Sequence, residues 1–284
     1  METDTGDRAL QYLVETDWLA AHLDDSNLRI IDCTVFTKNR ANGKAGFESG
    51  RLAWEQGHIP GSTFVDLFEE VADRNSDFYF TMPLAAQFAE AMSRHGVGEG
   101  TRVILYDAAM TIGAARLWWM LRTFGFDNAA ILNGGWKKWQ REKRPLSVES
   151  YRPVPGNFMA QPRFGLIASK EEVLASLGNR TTCLINALSE TYYHEMHIPN
   201  SVNVPADKLL NSKSQTYLSL KTLRQKFEQI EALDKKRIIT YCDCGIWASS
   251  DAFVLTLLGV ENVAVYDGSM AEWMADSTLP VEIG

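Results

Sequence analysis

Cysteine is scarce in this chain, with Cys33, Cys183, Cys242 and Cys244 the only four in 284 residues. So sparse a set does not form a disulfide scaffold, and each cysteine is read as a small buried hydrophobe, a ligand or a nucleophile. A zinc site would need Cys33 to meet the Cys242 loop, which the spacing does not suggest, so no metal and no cofactor is expected. Long apolar runs are also lacking. None reaches the roughly 18 residues of a membrane helix, and Met1 to Arg8 is polar and acidic with no apolar signal segment. A cytoplasmic protein without a membrane partner is the expectation. Positive charge is in deficit, with 28 Lys and Arg against 36 Asp and Glu. That balance argues against nucleic acid as a partner and leaves room for a small anion at a locally positive site.

What is present is a globular composition, 45% hydrophobic and 23% charged, long enough for about two domains. An internal repeat divides it. The first half reads Leu28 to Asp32, Gly57-His58-Ile59-Pro60-Gly61-Ser62, Val103 to Asp107, Ala114 to Gly125, then Asn133-Gly134-Gly135-Trp136 and Trp139. The second reads Cys183 to Asn186, Met196-His197-Ile198-Pro199-Asn200-Ser201, Arg237 to Cys242, Ala248 to Gly259, then Asp267-Gly268-Ser269 and Trp273. Val103–Tyr106, Ala129–Leu132, Ile238–Tyr241 and Val263–Tyr266 are short apolar runs bounded by turn residues, which predicts buried strands. Ala114–Phe124 and Ala248–Leu258 predict helices that stop at Gly125 and Gly259. Strand and helix in alternation imply an α/β fold, a mainly parallel sheet covered by helices on both faces, used twice. The proline-rich stretch from Arg141 to Gly165 predicts the crossing between domains. The expected division is 8–145, a linker at 146–165, and 166–284.

Cys242 follows the strand Ile238–Tyr241, and Ala248-Ser249-Ser250 opens the next helix. A loop between a strand end and a helix start turns backbone N–H groups inward and favours an anion. A free thiol with a pKa near 8.5 is only about 3% thiolate at pH 7, and lowering it to roughly 6.5 gives about 75%. The expectation is therefore an activated nucleophile at Cys242. The first repeat has Asp107 in the equivalent place and lacks one.

With these motifs the chain resembles the two-domain rhodanese family, the thiosulfate and 3-mercaptopyruvate sulfurtransferases, over nearly its whole length. The carriers are Gly57-His58-Ile59-Pro60-Gly61, Tyr106-Asp107, Arg116-Leu117-Trp118-Trp119, Asn133-Gly134-Gly135-Trp136, Cys242-x-x-Gly245-x-x-Ala248 and Tyr266-Asp267-Gly268-Ser269. The resemblance implies two tandem rhodanese-like domains, the first inactive. It implies that Cys242 takes a sulfane sulfur as a persulfide and passes it to a thiol or cyanide, with thioredoxin or glutathione as thiol acceptors. A catalytically weak sulfur-relay or binding module is the alternative. Phosphatases that share the fold need Cys, five residues, then Arg, and here Ala248 holds that last position.

The chain departs from the family around its substrate. Asn186-Ala187-Leu188 replaces an expected Asp-x-Arg, and Ser189 to Met196 carries no arginine. Trp247 stands where a hydroxyl is usual, and it is read as covering the sulfur. Cys244, Phe68 and Phe80 occupy the places of a Ser, an Asp and a His of mercaptopyruvate enzymes. Each lost Arg–anion contact costs on the order of 1.5–3 kcal/mol, so two losses weaken either donor by roughly 100-fold. Arg74 and Arg116 are the candidate replacements, Arg116 doubling as a structural ion pair. The expected site is Cys242 as nucleophile, with Asp243, Cys244, Gly245, Ile246, Trp247, Ala248 and Arg74 at the substrate. Cys244 has two readings, a loop-packing residue or a second thiol that attacks the Cys242 persulfide and releases sulfide. His58 and His197 are read as structural, and Cys33 and Cys183 as core residues in strands.

Overall fold

The computed structural model describes residues 11–39 and 45–284, and the expected start of the first domain at residue 8 lies outside them. Strands β1 (Leu13–Val14), β2 (Leu28–Asp32), β5 (Ser62–Phe64), β6 (Arg102–Tyr106) and β7 (Ala129–Leu132) form one sheet in the order β1-β7-β6-β2-β5. Strands β8 (Ile167–Ala168), β9 (Thr182–Asn186), β10 (Val202–Asn203), β11 (Arg237–Tyr241) and β12 (Val263–Tyr266) form a second in the order β8-β12-β11-β9-β10. Every pairing in both sheets is parallel. The two orders superpose strand for strand, so the sequence repeat is one topology used twice. The predicted strands lie within β6, β7, β11 and β12.

One feature of the first copy has no counterpart in the second. The antiparallel hairpin of β3 (Val35–Asn39) and β4 (Ala45–Ser49) is inserted after β2. Cys33 likewise falls one residue past its strand, buried, with its thiol donating to the Tyr106 carbonyl. Cys183 lies inside β9 as expected.

Two helices join the halves. Ile112–Thr123 buries every residue except Arg122, and Ala248–Leu257 buries all ten. Helices this rich in apolar residues on every face must be covered on every face, which also buries Arg116 and Asp251. These two pack on each other, with the Trp118 ring edge-on to Phe253 at 4.9 Å between centroids. One apolar cluster therefore runs through both halves and includes Cys242, Cys244 and Ile246. Smaller clusters, around Trp139 in the first half and Trp273 in the second, fill the opposite face of each sheet.

Candidate active site

Cys242 lies one residue beyond β11, in the loop that leads into the helix Ala248–Leu257. Both ends of the loop are pinned by one hydroxyl. The N–H groups of Cys242 and Gly245 donate to Ser269 Oγ at 3.0 and 3.1 Å, and Ser269 Oγ donates to the Tyr266 carbonyl at 2.8 Å. The Met270 and Ala271 N–H groups close the other side on the carbonyls of Cys242 and Asp243. Gly245 has φ +80°, and a Cβ there would lie 2.8 Å from the Asp267 carbonyl oxygen, so the turn requires glycine.

The N–H groups of Ala248, Cys244 and Trp247 face the Cys242 thiol. This is the inward-turned backbone that the sequence predicts. Its electrostatic consequence is different. Burial pushes the Cys242 thiol above its ordinary value, with the Asp243 charge in the same direction, and the three N–H groups offset this only in part. The residue has no exposed surface, and a thiolate withdrawn from water loses more solvation than the N–H groups return. The expected drop toward 6.5 is thus reversed in this closed arrangement. Access of any donor to the sulfur requires movement of the covering loop or helices.

The same cradle is present, and filled, in the first copy. Asp107 lies one residue past β6, as Cys242 does past β11. Its Oδ1 accepts from the Ala109 and Thr111 N–H groups at 2.8 and 2.9 Å, and its Oδ2 from Ala114 at 2.9 Å. Ala109 matches Cys244 in offset, and Ala114 matches Ala248 in the repeat. Burial pushes the Asp107 carboxyl up to about 6 despite these bonds. The backbone of this loop therefore offers N–H donors to the acceptor oxygens of a buried group.

The remaining candidates fall at different depths. Ile246, Ala248 and Cys244 are buried. Burial and the neighbouring Cys242 and Asp243 charges push the Cys244 thiol well above its usual range, which favours its reading as a packing residue. The Trp247 indole packs against the shared core, and it is the backbone N–H of the residue that faces the sulfur. Arg74 is exposed, and its guanidinium donates to the Glu69 carbonyl at 3.4 Å rather than to the cysteine loop. Arg116 is 1% exposed, pairs with Asp267 Oδ1 at 2.5 Å, and its Nη1 lies 3.4 Å from the Cβ position of Gly245. Of the two arginines, Arg116 is thus the one at the loop. Leu188 packs on the core, and Phe68 and Phe80 join Phe47 and Tyr79 in an aromatic cluster. His58 and His197 each turn Nδ1 to the carbonyl four residues back, at 2.8 and 2.9 Å, which fixes loops as read. Among the described residues, no group of three His, Cys, Asp or Glu forms a metal site, and no helix is long and apolar enough to cross a membrane.

A crevice of about 410 Å³ between the two halves is lined by Ser76 and Thr81 on one side and by Ser169, Lys170, Asp267 and Gly268 on the other. Asp267, one of its lining residues, lies two residues before the serine that pins the cysteine loop.

Comparison with known proteins agrees with the repeat. The Rhodanese-like domain family matches twice, at residues 15–142 and 169–276. The chain is 33% identical to the 3-mercaptopyruvate sulfurtransferase of Escherichia coli K12 over 288 residues, covering 95% of this chain and 98% of that protein. It is 30% identical to the thiosulfate sulfurtransferase of Mus musculus over 279 residues, covering 92% and 91%. The crystal structure of SseA, a 3-mercaptopyruvate sulfotransferase of Escherichia coli, superposes with a TM-score of 0.81 at 31% identity, over 91% of this chain and 98% of that one. EanB in complex with hercynine shares the fold at 20% identity, with a TM-score of 0.83 over 98% of this chain and 70% of that one. Two repeats of one parallel topology, each matched by the family and together spanning its two-domain relatives, place the chain in the rhodanese family of sulfurtransferases.

Proposed function

We propose that the sulfurtransferase chemistry of this family runs here through a persulfide on Cys242, with a donor of the thiosulfate or 3-mercaptopyruvate type. The Cys242 thiolate attacks the outer sulfur of thiosulfate, the S–S bond of the donor breaks, and sulfite leaves with the bonding pair. With 3-mercaptopyruvate the C–S bond breaks, and the carbon keeps the pair and takes the thiol proton to give pyruvate. A thiolate or cyanide then attacks the outer sulfur, leaves as persulfide or thiocyanate, and returns Cys242 as thiolate. Thioredoxin and glutathione are thiols of the required kind, and a reducing compartment such as the cytoplasm suits four free cysteines.

One observation carries the reading. Asp107 fills its N–H cradle with oxygens two bonds from Cβ. The outer sulfur of a Cys242 persulfide also lies two bonds from Cβ, inside the equivalent loop. A persulfide anion thus gains the hydrogen bonds that the thiol leaves weakly used. In this scheme residues 8–145 are the inactive domain, 146–165 the linker, and 166–284 the active domain. Asp243, Cys244, Gly245, Ile246, Trp247 and Ala248 wall the sulfur, with Cys244 a packing residue. Arg74, at the surface, contributes only attraction of an anionic donor. The closed sulfur and Leu188 in place of a cation support the second reading, a slow sulfur-relay module. Mass spectrometry of the Cys242 peptide after thiosulfate or 3-mercaptopyruvate should show one added sulfur atom, absent in Cys242→Ser. No added sulfur from either donor would overturn the persulfide. Loading without turnover to cyanide or thiols would select the relay.

A further inference from the structure

Two grips related by the repeat join the halves, beside contacts such as that of Arg141 with the Lys213 and Ser214 carbonyls, and the two grips are not equal. On the Asp107 side, Asn133 Oδ1 accepts the Tyr217 N–H of the second half at 2.9 Å. On the Cys242 side, Asp267 Oδ2 accepts the Met82 N–H of the first half at 2.6 Å. Asn133 and Asp267 are equivalent in the repeat, each directly following β7 or β12. The gripping segments also match, since Phe80 and Gln215 both hold positive φ, 58° and 59°. Backbone gripping is therefore common to both sides and serves the packing of the domains.

The ionic half of the grip is confined to the cysteine side. Asp267 Oδ1 takes Arg116 Nη2, which also donates to the Phe80 carbonyl. The repeat partner of Arg116 is Ser250, whose hydroxyl has no hydrogen-bond partner among the described residues, and that of Asp267 is the neutral Asn133. Arg116 Nε and Nη1 have none either, and Nη1 faces Gly245 in the cysteine loop. From Asp267 the chain runs through Gly268 to Ser269, whose hydroxyl fixes the N–H groups of Cys242 and Gly245. At the equivalent place the first copy has Gly135, with no hydroxyl.

We propose that Arg116 and Asp267 are positioning residues for sulfur transfer, a clamp through which the first domain, which has Asp107 in place of the loop cysteine, holds the Ser269 turn and hence the Cys242 loop. The clamp rests on the persulfide reading for its effect on turnover, but its effect on the loop does not. The titratable and charged groups around the loop are Asp243 and Cys244 on it, Asp267 from the turn after β12, Arg116 from the first half and Asp251 from the helix that follows.

The test compares Arg116→Met, Asp267→Asn, the double variant and Arg116→Lys in the full chain. Iodoacetamide labelling of the Cys242 peptide is followed by mass spectrometry from pH 6 to 10, beside cyanide-dependent turnover. Each single neutralisation should speed labelling and lower kcat by about 10–100-fold, the usual cost of misplacing a reacting group. The double variant should be no worse than either single one, because both break the same clamp. Arg116→Lys keeps the charge and one donor to Asp267, so it should recover most of the wild-type profile even if the methionine variant folds poorly. Additive losses in the double variant, or an unchanged labelling profile in Asp267→Asn, would overturn the clamp. A wild type that is inactive and takes up no sulfur on Cys242, with altered labelling in the variants, would leave the clamp standing and remove the persulfide reading instead.

Discussion

Replacing Asp251 with leucine should stabilise this protein, and by more at higher pH. Asp251 lies in the helix Ala248–Leu257 with no exposed surface, and neither carboxylate oxygen has a hydrogen-bond partner among the described residues. Burial alone pushes its carboxyl well above the usual range. An unpartnered buried polar group costs about 1–3 kcal/mol even when neutral. The ionisable part adds to that, with a definite sign. The unfolded chain releases this proton near pH 3.9 and the folded chain only at its higher value, so the unfolded state gains free energy from ionisation first. Stability from this group is complete below about pH 3.9 and falls by about 1.4 kcal/mol per pH unit until the folded pKa is reached. Leucine is of similar size and removes both costs, so Asp251→Leu should gain about 2–4 kcal/mol near neutral pH. The assay is urea unfolding from pH 4.5 to 8, read by circular dichroism and by tryptophan fluorescence where the two transitions coincide. The gap between variant and wild type should widen with pH and then level off, and the levelling point reports the folded pKa. A gap that stays constant with pH, or a less stable variant, would refute the reasoning. Either would mean that Asp251 has a partner in solution, with Tyr217 and Ser250, whose hydroxyls also have no partner among the described residues, the first places to look for it.

Gly245→Ala should abolish persulfide loading while the fold survives, because φ +80° costs an alanine about 1–2 kcal/mol and its Cβ meets the Asp267 carbonyl oxygen; loading followed by mass spectrometry checks this. Cys244→Ser should retain sulfur loading and release, and loss of sulfide release in that variant alone would establish the second-thiol role. The Cys242 thiol, raised by burial, should label with a midpoint above the ordinary value of about 8.5 in the resting protein, read from the pH dependence of alkylation.

Much of this was legible in the residues. The blocks from Val103 to Tyr106 and from Arg237 to Tyr241 announce strands because apolar β-branched runs flanked by turns have few other uses. The helices Ala114–Phe124 and Ala248–Leu258 were legible with their glycine stops, but their burial against each other was not. The position of Cys242 at a strand end and the inward N–H groups follow from the same logic. Its pKa did not follow, because the sign depends on how completely the second helix, the core and the turn after β12 exclude water, and depth of burial is a property of the assembled fold. Arg74 and Arg116 illustrate the same limit. Both are arginines in the first half, yet one ends on the surface and the other under Gly245, and only packing separates them. The hairpin of β3 and β4 went unread because Val35 to Ser49 carries no repeat partner to align it with.

The duplicated architecture separates what the fold needs from what the chemistry needs. Features present in both copies serve folding. The Tyr106 hydroxyl meets Ser62 and the Ile59 N–H, and the Tyr241 hydroxyl meets Ser201 and the Ile198 N–H, in the same arrangement. Trp136 donates its N–H to the Asp107 carbonyl as Met270 does to that of Cys242. What differs lies on one side of the interface: Cys242 for Asp107, Ser269 for Gly135, Asp267 for Asn133 and Arg116 for Ser250. These four differences converge on one loop although they arise from both halves, and one of them belongs to the domain that has no cysteine at this place. If the first domain acted only as a structural cover, its helix would need no charge at Arg116, and an apolar residue there would avoid burying a guanidinium of which two nitrogens have no partner among the described residues. Keeping that charge has a cost in stability, and the cost falls beside the cysteine loop, where a persulfide anion would form.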